Sequence, residues 1–186
     1  MPKINKTKYA LLGMLNMGPS SGYDLKRYCD FSISNFWNEN YAHIYPVLRQ
    51  MEDEGLVTKE TEFNKGRPPK NIYTITENGK KKLNEWLITP VEDDPTRNEL
   101  LLKIFFSGET PDENIINIII QKKEENENLL DKYTKIENQL TSEEPYKGSK
   151  ELPLWLATVR YGIMSSRFMI DWCTETLKSL KEMNTD

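Results

Sequence analysis

At Gly55 the apolar periodicity of the chain changes from about four residues to two, and no other feature restricts the N-terminal half as strongly. Before this point Ile44, Val47, Leu48 and Met51 fall at i, i+3, i+4 and i+7, the spacing of one buried helical face. After it, LVTKETEF and NIYTIT are rich in Val, Ile, Thr and Tyr and read as two strands. The intervening NKGRPPK is turn-forming, and its Gly and two prolines make a stiff tip crowded with Lys65, Arg67 and Lys70. Thr76 can then cap a helix over ENGKKKLNEWL, which Gly79 weakens by about 1 kcal/mol relative to Ala.

Two further helices precede the stripe. Leu11, Leu12 and Leu15 define one from Thr7 to Met17, stopped by Gly18-Pro19, and Ser20 or Ser21 can cap the next. The helix bearing the stripe begins near Asn40, and Pro46 predicts that it starts later than Asn40 or bends there. Three helices, a two-stranded hairpin and a fourth helix within about 90 residues describe a winged helix-turn-helix. TPVEDDPT, residues 89–96, reads as a linker. The expected organisation is a DNA-binding domain over 1–90 and an α-helical domain over 91–186, mainly α with a small β-hairpin.

The second half has only helical patterns. A long helix from Pro111 to Leu140 carries Ile115, Ile119, Leu129, Tyr133, Ile136 and Leu140 on a four-three repeat interrupted by Lys122 and Asn126. The last helix repeats the pattern without a break from Leu152 to Leu180, through Leu156, Val159, Ile163, Ser166, Ile170, Cys173 and Leu177. Two such seams joined by TSEEPYKGSK make an antiparallel helical hairpin or a coiled-coil surface for a second copy. Leu156, Val159, Ile163, Ile170 and Leu177 are the expected dimerisation residues. On another face, Gly162 and Ser165 lie between Trp155, Met169 and Trp172. Such small residues either leave a pocket for a small aromatic or hydrophobic effector or let another helix approach closely.

Charge separates the halves. Residues 1–90 hold 13 Lys and Arg against 10 Asp and Glu, while residues 91–186 hold 12 against 19, although the whole chain is at −4. A basic module on an acidic domain fits a nucleic-acid contact. Chemistry has few candidates: His43 is the single histidine, Cys29 and Cys173 are far apart, and there is no HExxH or glycine-rich phosphate loop. No enzyme, metal or cofactor is expected. The mean hydropathy of −0.69 and the shortness of IINIII exclude a membrane span, and two lone thiols suit the cytoplasm.

The face of the third helix opposite its stripe carries Ala42, His43, Tyr45, Pro46, Arg49 and Gln50, with Asn40 and Tyr41 at its start. Arg49 can address guanine or a phosphate, and Asn40, Tyr41 and His43 can donate to phosphates or bases. In the tip, Lys65, Arg67 and Lys70 can follow a phosphate backbone or enter the minor groove, with Gly66 allowing close approach. KGRP also resembles the core of AT-hook peptides.

YALLGMLNMGPSSGYDLKRY, IYPVLRQMEDEGLV, KGRPPKNIY and TENGKK, in that order, resemble the PadR family of bacterial transcriptional regulators. NELLLKIFFSG and LWLATVRYGIMSSRFMIDWCTETL resemble the C-terminal dimerisation domain of its longer branch. The resemblance implies a homodimer on double-stranded operator DNA, usually a repressor, and some relatives respond to phenolic acids or hydrophobic drugs. The alternative is a dimeric ligand-sensing or interaction module whose winged helix binds protein, for which three cations around Gly-Pro serve no purpose.

Overall fold

A computed structural model describes residues 5–183, apart from 35, 38, 39, 64–67, 93–96, 110, 111 and 145. The chain divides between residues 93 and 94 into two units. The first is built from α1 (Lys6–Met17), β1 (Ser20–Ser21), α2 (Gly22–Ser32), α3 (Tyr41–Asp53), β2 (Val57–Glu62), β3 (Lys70–Ile75) and α4 (Glu77–Leu87). Its core is the meeting of three helical stripes: Leu11, Leu12 and Leu15 of α1, Leu25 of α2, and Ile44, Leu48 and Met51 of α3 are almost wholly excluded from solvent. Tyr9 and Trp86 add a stacked pair, centroids 4.5 Å apart, that fastens α4 to α1.

The caps follow the expected chemistry. Ser21 Oγ accepts from the Asp24 backbone N–H, and Thr76 Oγ1 accepts from that of Gly79, at 3.2 and 3.0 Å. The sheet has one strand more than the two expected. β1 joins it, giving the antiparallel order β1-β3-β2 with Ser21 opposite Ile72 and Val57 opposite Ile75. Ser20–Ser21 has no β-branched residue and no period, and the pairing exists because β3 presents an open edge beside it.

Gly79 has a role that helix propensity does not describe. A Cβ there would stand 2.2 Å from the Leu56 carbonyl oxygen, so a side chain at 79 would strike the chain entering β2. The same oxygen accepts from the Thr76 N–H at 3.0 Å. Glycine allows α4 to seat against the base of the hairpin.

The second unit contains α5 (Glu99–Phe105), α6 (Asp112–Ser142) and α7 (Leu152–Met183). The two long helices form an antiparallel hairpin. Ile115, Ile119 and Cys173 make one buried cluster, and Tyr133, Val159 and Ile163 make another. The register that sets Ile119 against Cys173 and Tyr133 against Val159 also sets Asn126 opposite Ser166, and both are buried. Asn126 Nδ2 donates to the Lys122 carbonyl of its own helix at 2.8 Å, so the buried amide has a partner. Arg160 donates to Glu137 at 2.7 Å across the two helices.

Candidate nucleic-acid interface

α3 starts one residue after Asn40, at Tyr41, and continues through Pro46 to Asp53. The proline removes one donor, toward Ala42, whose exposed position leaves that carbonyl to water. Asn40 is a cap: its Oδ1 accepts from the Ala42 N–H at 3.0 Å. Tyr41 is the first helical residue, and its side chain lies outside the described residues. Ile44, Val47, Leu48 and Met51 are buried, and the wheel accordingly turns Ala42, His43, Tyr45, Pro46, Arg49 and Gln50 outward.

Within that outward face the side chains differ in what holds them. Gln50 Nε2 donates to Glu54 Oε1 at 2.7 Å. Arg49 makes no ion pair among the described residues, and its charge reaches Lys59 and Tyr73 of the hairpin. Tyr45 is 44% exposed and lies against Gly22, where a Cβ would stand 2.7 Å from its ring. The exposed face of α3 and the first turn of α2 are therefore neighbours.

Lys65, Gly66 and Arg67, the tip residues expected on DNA, lie outside the described residues. Pro68 and Pro69 are exposed beside them. Lys70, the first residue of β3, is bonded to Asp24 of α2 at 2.8 Å. Asp24 also accepts from Ser21 Oγ at 2.7 Å, and Lys70 first, then Ser21, hold its carboxyl below the ordinary range. On β2, Lys59 is paired with Glu52 of α3 at 2.8 Å, which raises the lysine. Both of these hairpin cations thus face carboxylates. No such pairing was visible in the sequence, because the partners are 46 and 7 residues away and share no local pattern.

Among the described residues there is no group of three or more metal-ligating side chains, and no helix is long and apolar enough to cross a membrane.

Residues 11–85 match the model of the transcriptional regulator PadR-like family, and residues 96–181 match the virulence activator alpha C-terminal model. The negative transcriptional regulator PadR of Bacillus subtilis is 38% identical over 101 residues, spanning 53% of this chain and about half, 55%, of that protein. The chain belongs to the PadR-like family. Its fold agrees end to end with solved members. The crystal structure of Bacillus subtilis PadR in complex with operator DNA superposes with a TM-score of 0.82 at 25% identity, covering 95% of this chain and 99% of that one. The Vibrio cholerae virulence activator AphA gives 0.77 at 26% identity over 95% and 98%. The PadR-like family is one of transcriptional regulators.

The PadR-like frame sharpens two readings of the C-terminal helices. Val159 and Ile163, expected at the dimer contact with Leu156, Ile170 and Leu177, are buried against Tyr133 of their own chain. Leu177 likewise packs on the cluster of Ile115, Ile119 and Cys173. The four-three seam closes the hairpin within one chain, because a continuous helix pair satisfies the same repeat that a second copy would. Trp155, Met169 and Trp172, the residues expected at an effector pocket, have different neighbours within the chain. Trp155 stands edge-on to Tyr146, centroids 6.3 Å apart, while Met169 and Trp172 pack on the Ile119–Cys173 cluster. The space at Gly162 is taken by the Tyr133 ring, 2.8 Å from where a Cβ would be.

The opposite face of α7 is the unforeseen element. Leu154, Tyr161, Met164 and Phe168 lie there at intervals of seven, three and four residues and are 66–72% exposed. In α5, Leu101, Leu102 and Phe105 are exposed as well, followed by Phe106. The spacing was present in the sequence, but a seam of leucines and isoleucines on the other face masked it.

Proposed function

We propose that this PadR-like protein is a homodimeric repressor that binds double-stranded operator DNA. In this reading α3 lies in the major groove with Arg49 and His43 toward base edges, and the hairpin tip with Lys65, Gly66 and Arg67 lies on the flanking backbone. The observation that carries it is the outward face of α3. It is fixed from behind by four buried apolar side chains and presents the exposed Arg49, which makes no ion pair among the described residues. The superposition on PadR in complex with operator DNA supports the groove placement. Repression is the reading supported by the 38% identity, over 101 residues, to a negative transcriptional regulator.

The exposed stripe of α7 supports the dimer. Soluble monomers seldom leave several large apolar side chains in one exposed row, and a second copy of the same stripe covers them by twofold symmetry. The site of action is then the cytoplasm, where the DNA is. Selection from random duplex DNA with the purified chain tests the reading. The expected outcome is an enriched palindrome whose half-sites are about one helical turn, or a multiple, apart. Failure to retain any duplex at low salt overturns it.

A further inference from the structure

The pairing of Lys70 with Asp24 has a consequence for how tightly this surface holds any DNA. Lys70 opens β3, directly after the tip, and Asp24 belongs to the first turn of α2. That turn begins at Gly22, on which the outward Tyr45 ring of α3 rests. The carboxylate therefore lies beside the face proposed to meet DNA, and it holds a lysine at 2.8 Å there. Both side chains are half exposed, 45% for the lysine and 39% for the aspartate, so solvent and a phosphate can reach them.

We propose that Asp24 restrains nonspecific DNA binding by competing with phosphate for Lys70. A lysine that contacts a phosphate releases a counterion from the duplex, and each such contact steepens the salt dependence by about 0.9 in log–log slope. A lysine already neutralised by a carboxylate releases fewer ions, and the carboxylate itself repels the backbone. Exposed pairs of this kind are weak, so a phosphate can displace the acid, at a cost that falls on every DNA sequence alike. Base contacts from α3 are unaffected by the cost. The pair therefore lowers the affinity for every duplex by about the same factor, so that it sets how much DNA of any sequence the protein occupies and leaves sequence preference to α3. The Asp24 carboxylate is kept in position by Ser21, whose hydroxyl donates to it at 2.7 Å, and not by Lys70 alone.

The inference rests on the proposed DNA reading, and one titration separates the two. Binding of full-length wild type, Asp24→Asn, Asp24→Glu, Lys70→Ala and the Asp24→Asn/Lys70→Ala double variant is measured on a random-sequence duplex across a salt series. Asn retains an acceptor for Ser21 and the Ser21 cap on the Asp24 backbone, and thermal unfolding of each variant checks the fold. Asp24→Asn is expected to bind about two- to five-fold more tightly at low salt, with a slope steeper by about 0.9. Asp24→Glu keeps the wild-type slope, and Lys70→Ala cancels the gain in the double variant. A wild type that binds while Asp24→Asn leaves slope and affinity unchanged overturns this inference alone. Weaker binding by a folded Asp24→Asn also overturns it, and makes the pair a strut for the hairpin. A wild type that binds no duplex overturns the DNA reading itself.

Discussion

The Tyr45 ring lies on Gly22 so closely that a Cβ on residue 22 would stand 2.7 Å from Cε1 and 3.0 Å from Cζ. One face of α3 is thus levelled against the start of α2 by the absence of a side chain. Gly22→Ala forces the ring aside. Because Tyr45 is 44% exposed, the ring has room to swing, and the fold should survive. Operator affinity should drop by several-fold with little change in melting temperature. If the ring carries the effect, adding Tyr45→Ala should produce no further loss, and a strictly additive double variant would show that the two residues act independently.

Gly79 reverses an expectation. Helix propensity alone makes Gly79→Ala stabilising by about 1 kcal/mol. The Leu56 carbonyl, 2.2 Å from the new Cβ, is backbone and cannot rotate away. The variant should instead lose about 1–3 kcal/mol in denaturant unfolding, as overpacked sites do. An unchanged or raised midpoint would mean that α4 can slide from β2 without cost.

These two glycines mark how far a linear reading reaches. The buried stripe of α3, the caps at Ser21 and Thr76 and the strands of the hairpin were legible because each rests on residues within one turn or one strand. The edge strand at Ser20–Ser21, the Gly79–Leu56 contact and the Lys70–Asp24 pair join distant segments, and nothing local records them. The four-three seam of α7 was legible as a seam but not as an intrachain one. Val159 meets Tyr133 of its own chain by the same spacing that would bring it to a partner.

Lys8 bonds Glu54 with 2.6 Å to the nearer oxygen, joining α1 to the end of α3. Lys8, ahead of a smaller aid from Gln50, holds this carboxyl below the ordinary glutamate value of 4.5. A depressed carboxyl contributes stability that is present above the unfolded value and disappears as pH falls through the folded one. Lys8→Ala should therefore cost little, about 0.5 kcal/mol near neutrality because water reaches the Glu54 carboxylate, and this contribution vanishes at pH values well below both. Parallel unfolding curves of the two proteins at every pH would show the pair to be without effect.

Arg49→Ala should weaken binding to the selected palindrome by about 1–3 kcal/mol while leaving random DNA nearly untouched. The reasoning is positional: Arg49 is outward and unpaired among the described residues, and it is two turns from the helix start. Competition titrations with both duplexes provide the check. Equal losses on the two would assign the guanidinium to a phosphate.

The dimer surface can be tested without disturbing the hairpin that bears it. Met164 and Phe168 are 69% and 66% exposed, so carboxylates at these positions remain in water in an isolated chain and leave its core intact. In a dimer joined through this stripe they become charges buried without partners, which typically cost several kcal/mol each. Met164→Asp/Phe168→Asp should keep the helical signal and melting temperature of one folded chain but sediment as 21.8 kDa at micromolar concentration. Wild type should sediment at twice that mass. Separate chains lose the linkage that places two copies of α3 on two half-sites, and operator affinity should fall by orders of magnitude with every DNA-facing residue unchanged. Val159→Asp is the contrast. At 6% exposure it puts its charge between α6 and α7, and it should unfold the hairpin before any question of assembly arises. A double variant that stays dimeric and binds the palindrome undiminished would place the contact elsewhere, with the exposed Leu101, Leu102 and Phe105 of α5 as the next surface to change.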